Sequence, residues 1–352
     1  MSRLTLLTQS SLGTLQSCEE KFRLRYIEGL VPMQERPYFA IGSAVHRGVE
    51  LRDPEAGVAL LLEKRGQPWS DLERDELEVD SGIVRAMVSG ALARWSEWPA
   101  TVEHPFQLPI VNPVTGGRST VHQLAGVQDG LWTERDKILE LKTTSRLDRD
   151  YIARLDIDFQ VTTYLAAASQ LLGRPILEVV YRIIKKPGIR PHKGESDLEY
   201  RERCAARAPL APLKQKATES DLEYQERSRL REEAREPLKR KIPETPEEYG
   251  ARVLADYQER PDFYFAQVRV TRTPADLERW RWEVWTLHER VLALERGDFP
   301  VRNTKACLDF GRCTYFDICT GAVGPDAFRV QEDANPELPK AIQPKQLTLG
   351  EN

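Results

Sequence analysis

Near the start of the chain, apolar residues recur at spacings of three and four through Leu12, Leu15, Cys18, Phe22 and Tyr26. They follow Ser10 and Ser11, whose hydroxyls suit a helix start. The pattern predicts one amphipathic helix with Cys18 on its buried stripe, ended by Gly29 and Pro32. A second short helix follows Pro37, with Ile41, Val45 and Val49 on one face and His46 at the edge of that stripe. A third carries Ile83, Met87 and Trp95 and stops before Pro99. There the period changes from that of a helix to that of a strand. Residues 101–110 and 119–128 flank the turn-rich Asn-Pro-Val-Thr-Gly-Gly, and 137–143 follow a short turn, so a three-stranded meander is expected. Residues 151–172 read as a helix closed by Gly173 and Pro175, and the apolar run from Ile176 reads as a strand.

From 185 to 261 charged residues crowd together and aliphatic ones thin out, which marks an insertion without a large core of its own. Within it, ESDLEYRER from Glu195 returns as ESDLEYQER from Glu219. Two copies are fewer than a solenoid needs, and the stretch reads as a solvated helical excursion. Thr273, Pro274 and Asp276 open a helix with capping-box character, and Leu277, Trp280, Val284, Leu287, Val291 and Leu294 carry it to Gly297. Beyond Gly321 the chain loses periodicity and reads as a flexible tail. The expected organisation is a core with the chemical motifs (1–184), the insertion (185–261), a helix and cysteine cluster completing the core (262–325), and the tail (326–352). The fold class is mixed α/β, a small twisted sheet flanked by helices.

Composition narrows this only a little. Across 352 residues, with 30% charged and a formal net charge of -4, there is no global basic signature, so any surface for nucleic acid is local. No apolar run approaches a membrane span and the N-terminus lacks a signal-peptide core, so a cytoplasmic protein is expected. In a reducing compartment five cysteines argue against disulfides and leave metal binding, catalysis or burial.

On the strand from Lys137, residues Ile138, Glu140 and Lys142 point to one face and Leu139 and Leu141 to the other. Asp129, one strand back across the turn, can approach Glu140. Two carboxylates in one small volume repel unless a cation lies between them, and hard oxygen donors suit Mg²⁺ or Mn²⁺. Lys142 adds a fixed positive charge that can orient or help deprotonate an attacking water and offset charge growing on a phosphate. Taken alone, Glu140 and Lys142 are as readily an exposed ion pair on an edge strand, with Asp129 a turn residue. Gln160 and Tyr164, spaced i, i+4 on the next helix, can both reach one side, where DNA phosphates are plausible partners.

Cys307, Cys313 and Cys319 recur at even spacing among Phe310, Tyr315 and Phe316. A Cys₄ site needs a fourth thiolate. Cys18 is the candidate and Cys204 the spare, and spacing alone leaves zinc and iron-sulfur both open.

In order along the chain, SSLGTLQSCEEKFRLRYIEGL, IGSAVH, GVQDGLW, ILELKTTS and QVTTY resemble the successive motifs of the RecB/AddB-type branch of the PD-(D/E)XK nucleases. The resemblance implies a restriction-endonuclease-like core, with His46, Asp129, Glu140 and the Leu141 carbonyl as ligands of Mg²⁺ or Mn²⁺. It implies Lys142 as the catalytic lysine and Gln160 and Tyr164 as a Q-x-x-x-Y pair that supports the site and touches DNA. It further implies that Cys18, Cys307, Cys313 and Cys319 hold a 4Fe-4S cluster, a C-terminal staple like that of AddB and CRISPR-associated exonucleases, with zinc as the alternative. The expected activity is metal-dependent exonucleolytic hydrolysis of DNA from single-stranded ends, in recombination, repair or phage DNA processing, with a helicase or recombination partner. A structure-specific endonuclease and a non-catalytic iron-sulfur DNA-binding protein are the other readings. Gln346–Leu349 resembles the short motif by which bacterial DNA enzymes dock on the sliding clamp.

Overall fold

Thr8, and not Ser10 or Ser11, caps the first helix. Its hydroxyl accepts the Ser11 N–H at 3.2 Å while the Ser11 hydroxyl oxygen accepts the Thr8 N–H at 2.9 Å. This computed structural model describes residues 5–33, 37–68, 70–99, 101–206, 213–216, 218–233, 238–309, 311–340 and 342. Helix α1 (Gln9–Ser17) is shorter than its apolar stripe predicts, because at Cys18 the backbone turns extended (φ -166°, ψ 120°). The chain resumes as α2 (Glu19–Phe22) and a π-helical turn (Arg23–Ile27). Leu12, Leu15, Phe22 and Tyr26 are still buried, but Cys18 sits half-buried at the break and not on the core stripe.

The sheet is assembled from β1 (Leu6–Thr8), β3 (Thr101–Val111), β4 (Arg118–Trp132), β5 (Lys137–Thr144), β6 (Glu178–Lys185) and β7 (Phe265–Thr271). β4 is its axis. One edge of β4 pairs antiparallel with β3 along its length. The other edge is shared between β1, which pairs parallel at 123–125, and β5, which pairs antiparallel only over Gly130–Trp132 and Lys137–Leu139. β5 then runs parallel to β6, and β6 antiparallel to β7. The expected meander is therefore present, inside a larger mixed sheet. The short strands β1 and β7 carry no alternation long enough to be read from sequence.

Helices cover both faces. On one, α1, α7 (Phe159–Leu172) and α12 (Pro274–Glu295) bury Leu12, Leu165 and Val291 against Ile138 and Ile183. On the other, α3 (Pro37–Glu50), α4 (Pro54–Arg65), α5 (Asp71–Arg94) and α10 (Pro246–Glu259) bury Val45, Leu61, Met87 and Tyr257 against Leu141 and Ile184. The helix expected over 151–172 is interrupted. α6 (Arg149–Ala153) passes into a 3₁₀ turn (Arg154–Ile157), and Asp158 then caps α7 by accepting the Val161 N–H at 3.0 Å. Gly173 closes α7 in the left-handed conformation (φ 63°), as its position in the sequence predicts.

Two segment boundaries need correction. The charged region does include α8 (Asp197–Ala205) and α9 (Asp221–Glu233), neither of which has a buried residue. Its last part, α10, belongs to the core, where Tyr249, Val253 and Tyr257 are buried on α5. A Cβ on Gly82 would lie 3.2 Å from Gly250 Cα, so α10 lies against α5 almost backbone to backbone. After α11 (Pro261–Tyr264), α12 and the short α13 (Phe316–Cys319), residues 326–340 do not form a free tail. β8 (Phe328–Val330) pairs antiparallel with β2 (Leu30–Pro32), Asn335 donates to Leu6 O at 3.0 Å, and Leu338 is buried. Aperiodic chain can be ordered when its backbone groups find partners elsewhere, and such pairing leaves no sequence period. Phe310 and the Gln346–Leu349 motif lie outside the described residues. Among the described residues no helix is long and apolar enough to cross a membrane.

Candidate active site

The β4–β5 ladder ends at Gly130 and Leu139, and the two strands fork there. Asp129 stands at the fork, where its Oδ2 accepts the Leu141 N–H at 2.7 Å, so its side chain takes over a donor that the ladder has released. Glu140 follows on β5 and is 1% exposed. Its Oε1 accepts from Lys142 Nζ at 2.6 Å and from Gln160 Nε2 at 2.9 Å. Its Oε2 is buried with no partner. From the opposite face α3 presents His46, whose Nδ1 lies 3.8 Å from Asp129 Oδ1, too far for a hydrogen bond. The structure thus brings His46, Asp129, Glu140, Lys142 and Gln160 to one place.

Gln160 also donates to the Tyr164 hydroxyl at 2.9 Å, so the i, i+4 pair works as a bracket over Glu140. Behind it, Gln128 is fully buried and donates to Tyr164 O at 2.7 Å. Arg272, also buried, ties down the start of α7, donating to Thr162 Oγ1 at 2.7 Å, Leu155 O at 2.8 Å and Asp158 O at 3.1 Å. Neither Gln128 nor Arg272 stood out in the sequence. Gln128 is simply the residue before Asp129, and Arg272 becomes relevant only through partners more than a hundred residues away.

Burial pushes the Glu140 carboxyl up to about 8, and the charge of Asp129 adds to this while Lys142 opposes it. Burial alone would lower Lys142, but Glu140 and Asp129 outweigh it and hold the ammonium well above its usual value. Of the three, Glu140 alone is shut away from water, while the Asp129 and Lys142 side chains stay partly open to it. His46 adds no charge, since burial lowers its pKa and keeps the imidazole neutral, the form that ligates metals. Two further carboxylates lie close. Glu50 is one turn beyond His46 on α3. Glu103 on β3 lies between Val102, opposite Gly130, and His104, opposite Gln128. Burial and Glu50 raise the Glu103 carboxyl, with Asp129 contributing.

Among the described residues no three His, Cys, Asp or Glu side chains close tightly enough round one point to hold an ion by themselves. The donor set still fits a small hard cation. The orphaned Glu140 Oε2 is an acceptor with nothing to accept from, and ions such as Mg²⁺ take one or two carboxylates and keep several waters.

The cysteines meet at the other end of α1. Cys18 Sγ accepts the Asn303 N–H at 3.5 Å, and Asn303 O accepts from Cys307 Sγ at 3.7 Å. Cys313 donates its N–H to Cys307 O at 2.8 Å. Burial, with Glu20, Cys313 and Cys18 adding to it, pushes the Cys319 thiol up to about 11. All four are half-buried, whereas Cys204 is exposed on α8. The extended backbone at Cys18 is what turns its thiol away from the core and toward residues 303–319.

A family model, that of the PD-(D/E)XK nuclease superfamily, matches residues 6–320. The chain belongs to this superfamily. PD-(D/E)XK nucleases generally use Mg²⁺ or Mn²⁺, in keeping with the oxygen donors at the fork. A comparison with solved structures found a crystal structure from Eubacterium rectale, provisionally assigned as an exonuclease. The two are 10% identical over 92% of this chain and 95% of that one, with a TM-score of 0.46. A comparison with curated proteins found no match.

Proposed function

We propose that this PD-(D/E)XK nuclease is a metal-dependent DNA exonuclease acting from single-stranded ends. The observation that carries the reading is the buried, unpartnered Glu140 Oε2 beside Asp129 and Lys142. In this reading Asp129, Glu140, neutral His46 and the Leu141 carbonyl hold the cation. A divalent ion bound there supplies Lewis acidity to the scissile phosphate and makes bound water acidic enough to attack. Lys142 keeps its ammonium beside Glu140, where it orients the water and offsets charge on the phosphate. Gln160 fixes the Glu140 carboxylate, and Tyr164, buried against Phe106, holds Gln160 from behind and does not reach the DNA.

The four cysteines form a second, structural centre in this reading. Their thiols share a neighbourhood, with Cys18 and Cys307 both meeting Asn303 and Cys319 feeling Cys313 and Cys18. What favours a 4Fe-4S cluster over a lone Zn²⁺ is the resemblance to AddB-type nucleases, with one cysteine before the nuclease motifs and three after them.

The test is incubation of linear single-stranded, linear duplex and circular DNA with Mg²⁺ or Mn²⁺, using Asp129→Asn as control. Loss of linear strands from their ends, with circles intact, is the expected result. Cut circles would replace the reading with an endonuclease, and no metal-dependent cleavage at all would leave a DNA-binding protein without activity.

A further inference from the structure

The charged insertion is built from three copies of one unit, and the structure shows how they fit together. Each copy is an apolar residue, a basic one, any residue, and a second basic one, then Glu, Ser or Thr, and Glu-Tyr-x-x-Arg. The copies span 189–203, 213–227 and 238–252. The third, IRPHKGESDLEYRER rewritten as LKRKIPETPEEYGAR, is too altered to be seen beside the first two. In every copy the leading Glu forms a bidentate pair with the Arg eight residues on, Glu195 with Arg203, Glu219 with Arg227 and Glu244 with Arg252. That Arg also lies over the copy's own Tyr ring, at 5.6, 5.9 and 5.5 Å in turn.

Each Glu–Arg pair grips the backbone of a basic segment. Glu244 and His192 exchange backbone and side-chain bonds (3.0 and 2.9 Å), Arg252 donates to Arg190 O at 2.9 Å, and Tyr249 donates to Ile189 O at 2.9 Å. Glu195 and Lys241 repeat the exchange at 3.0 and 2.8 Å, with Arg203 on Lys239 O and Tyr200 on Leu238 O, both at 2.8 Å. Glu219 does so with Lys216, and Arg227 takes Lys214 O at 3.1 Å. The partners are nested. The first segment lies on the third helix, the third segment on the first helix, and the middle segment on its own helix. The insertion is therefore a hairpin arm of three like layers.

Charge is sorted within this arm. Residues 185–194, 207–218 and 237–243 hold ten Lys and Arg and no Asp or Glu. Since the clamp uses backbone groups of these segments, the side chains of Arg190, His192, Lys193, Lys214, Lys216 and Lys239 are left exposed. Much of the acidic charge on the helices is already engaged in the clamps and in caps such as Ser196 with Glu199 and Ser220 with Glu223. The arm also starts beside the nuclease fork. It leaves the end of β6 at Lys185, which pairs with Thr144, two residues beyond Lys142 on the neighbouring strand.

We propose that this three-layered arm is a DNA-backbone-binding surface, in which each clamp presents one basic segment to successive phosphates of a strand leading to the nuclease site. The inference rests on the nuclease reading and extends it to a second DNA-binding region. Its modular form supplies a clean variant. A Cβ on Gly194 would lie 2.7 Å from Pro243 Cδ, so residues 195–243 can be excised and Gly194 joined to Glu244 with the inner layer, residues 189–192 on Glu244 and Arg252, retained. A second variant, Lys214→Glu/Lys216→Glu/Lys239→Glu/Lys241→Glu, keeps the arm and reverses its charge.

Binding of a labelled single strand of about 40 nucleotides would be measured in chelator over a series of salt concentrations. Cleavage of a strand too short to reach the arm would be followed with Mg²⁺. Both variants should bind the long strand about tenfold or more weakly, and the salt dependence should flatten by about 0.7 in log–log slope for each phosphate that is no longer neutralised. Short-strand cleavage should stay within about twofold. Unchanged affinity and slope in both variants, with the full chain still binding and cutting, would overturn the arm alone and leave a protein-docking role. A full chain that neither binds nor cuts DNA would overturn the arm and the nuclease reading together.

Discussion

Lys142 Nζ lies 2.6 Å from Glu140 Oε1, while the other oxygen of that carboxylate is buried with no partner. With the Glu140 carboxyl held up at about 8, one ammonium faces one charged carboxylate, and a divalent ion is what would let Glu140 and Asp129 be ionised together. Added Mg²⁺ or Mn²⁺ should raise the melting temperature of the wild-type protein. At a hundred times the dissociation constant the gain is about 3 kcal/mol, a shift of several degrees. Glu140→Gln should abolish both the metal-induced shift and cleavage. In chelator it should cost under about 1 kcal/mol, because burial already pushes this carboxyl up to about 8. A variant that retained the metal-induced shift would show that the ion binds elsewhere.

Gln160 joins Glu140 to Tyr164 through two bonds of 2.9 Å. Gln160→Ala should lower kcat by about ten- to a hundredfold, since a loosened carboxylate no longer holds ion and water in one geometry. Tyr164→Phe removes only the outer bond and should cost several-fold. Arg272→Ala, which acts by freeing the start of α7, should lower kcat and melting temperature together. Steady-state kinetics alongside thermal melts separates these, and a Gln160→Ala enzyme with wild-type kcat would remove the bracket from the mechanism.

The fork was legible because its chemistry is local. Ile138, Glu140 and Lys142 declare their face by a strand's period of two, and Gln160 and Tyr164 theirs by a helix's four. Asp129 was placed beside Glu140 by the short turn between their strands. What the sequence hid was decided by distant partners. Cys18 fits the apolar stripe of α1 so well that nothing local betrays the extended backbone there. Arg272 reads as an ordinary surface arginine until Leu155 and Asp158 come to it. The third copy of the arm unit was hidden by divergence, its backbone bonds being kept while Thr, Pro and Gly replace the residues that made the first two look alike.

His288 on α12 is 2% exposed, and burial, with His122 adding to it, pushes its pKa down to about 4. Ser119 shares a 2.9 Å hydrogen bond with its Nε2, Trp285 packs on its ring, and His122 meets Glu295 at 3.3 Å. A histidine whose folded pKa is depressed stabilises the fold fully above its unfolded value near 6.5 and loses that contribution as pH falls toward 4. Stability in urea should therefore drop over this interval, by about 3 kcal/mol from this group. His288→Gln should flatten that part of the curve relative to wild type. Parallel acid limbs in the two proteins would assign the loss to other groups.

Asn335 links the C-terminal segment to the first strand, donating to Leu6 O at 3.0 Å while Thr8 Oγ1 donates to its Oδ1 at 3.3 Å. Asn335→Ala should cost about 1–2 kcal/mol, the usual cost of stranding buried polar groups. Truncation after Ala327 removes β8 and Leu338 as well and should cost several kcal/mol. Chemical denaturation of the two variants checks this, and a truncated protein as stable as the full chain would restore the segment to a passive tail.

Cys18 and the cysteines of 307–319 lie near opposite ends of the chain, so a centre that binds all four closes almost the whole molecule into one loop and restricts the unfolded state accordingly. Burial holds the Cys319 thiol up at about 11, so a metal that binds there must displace a proton. Protein purified without oxygen should be brown, with a broad visible absorption and about four irons per chain. Cys18→Ser and Cys313→Ala should be pale and melt several degrees lower, while Cys204→Ser, an exposed thiol on α8, should match wild type in colour and stability. Colourless protein with one zinc would turn the assignment to a zinc site, and brown, fully stable Cys18→Ser would remove Cys18 from the ligand set.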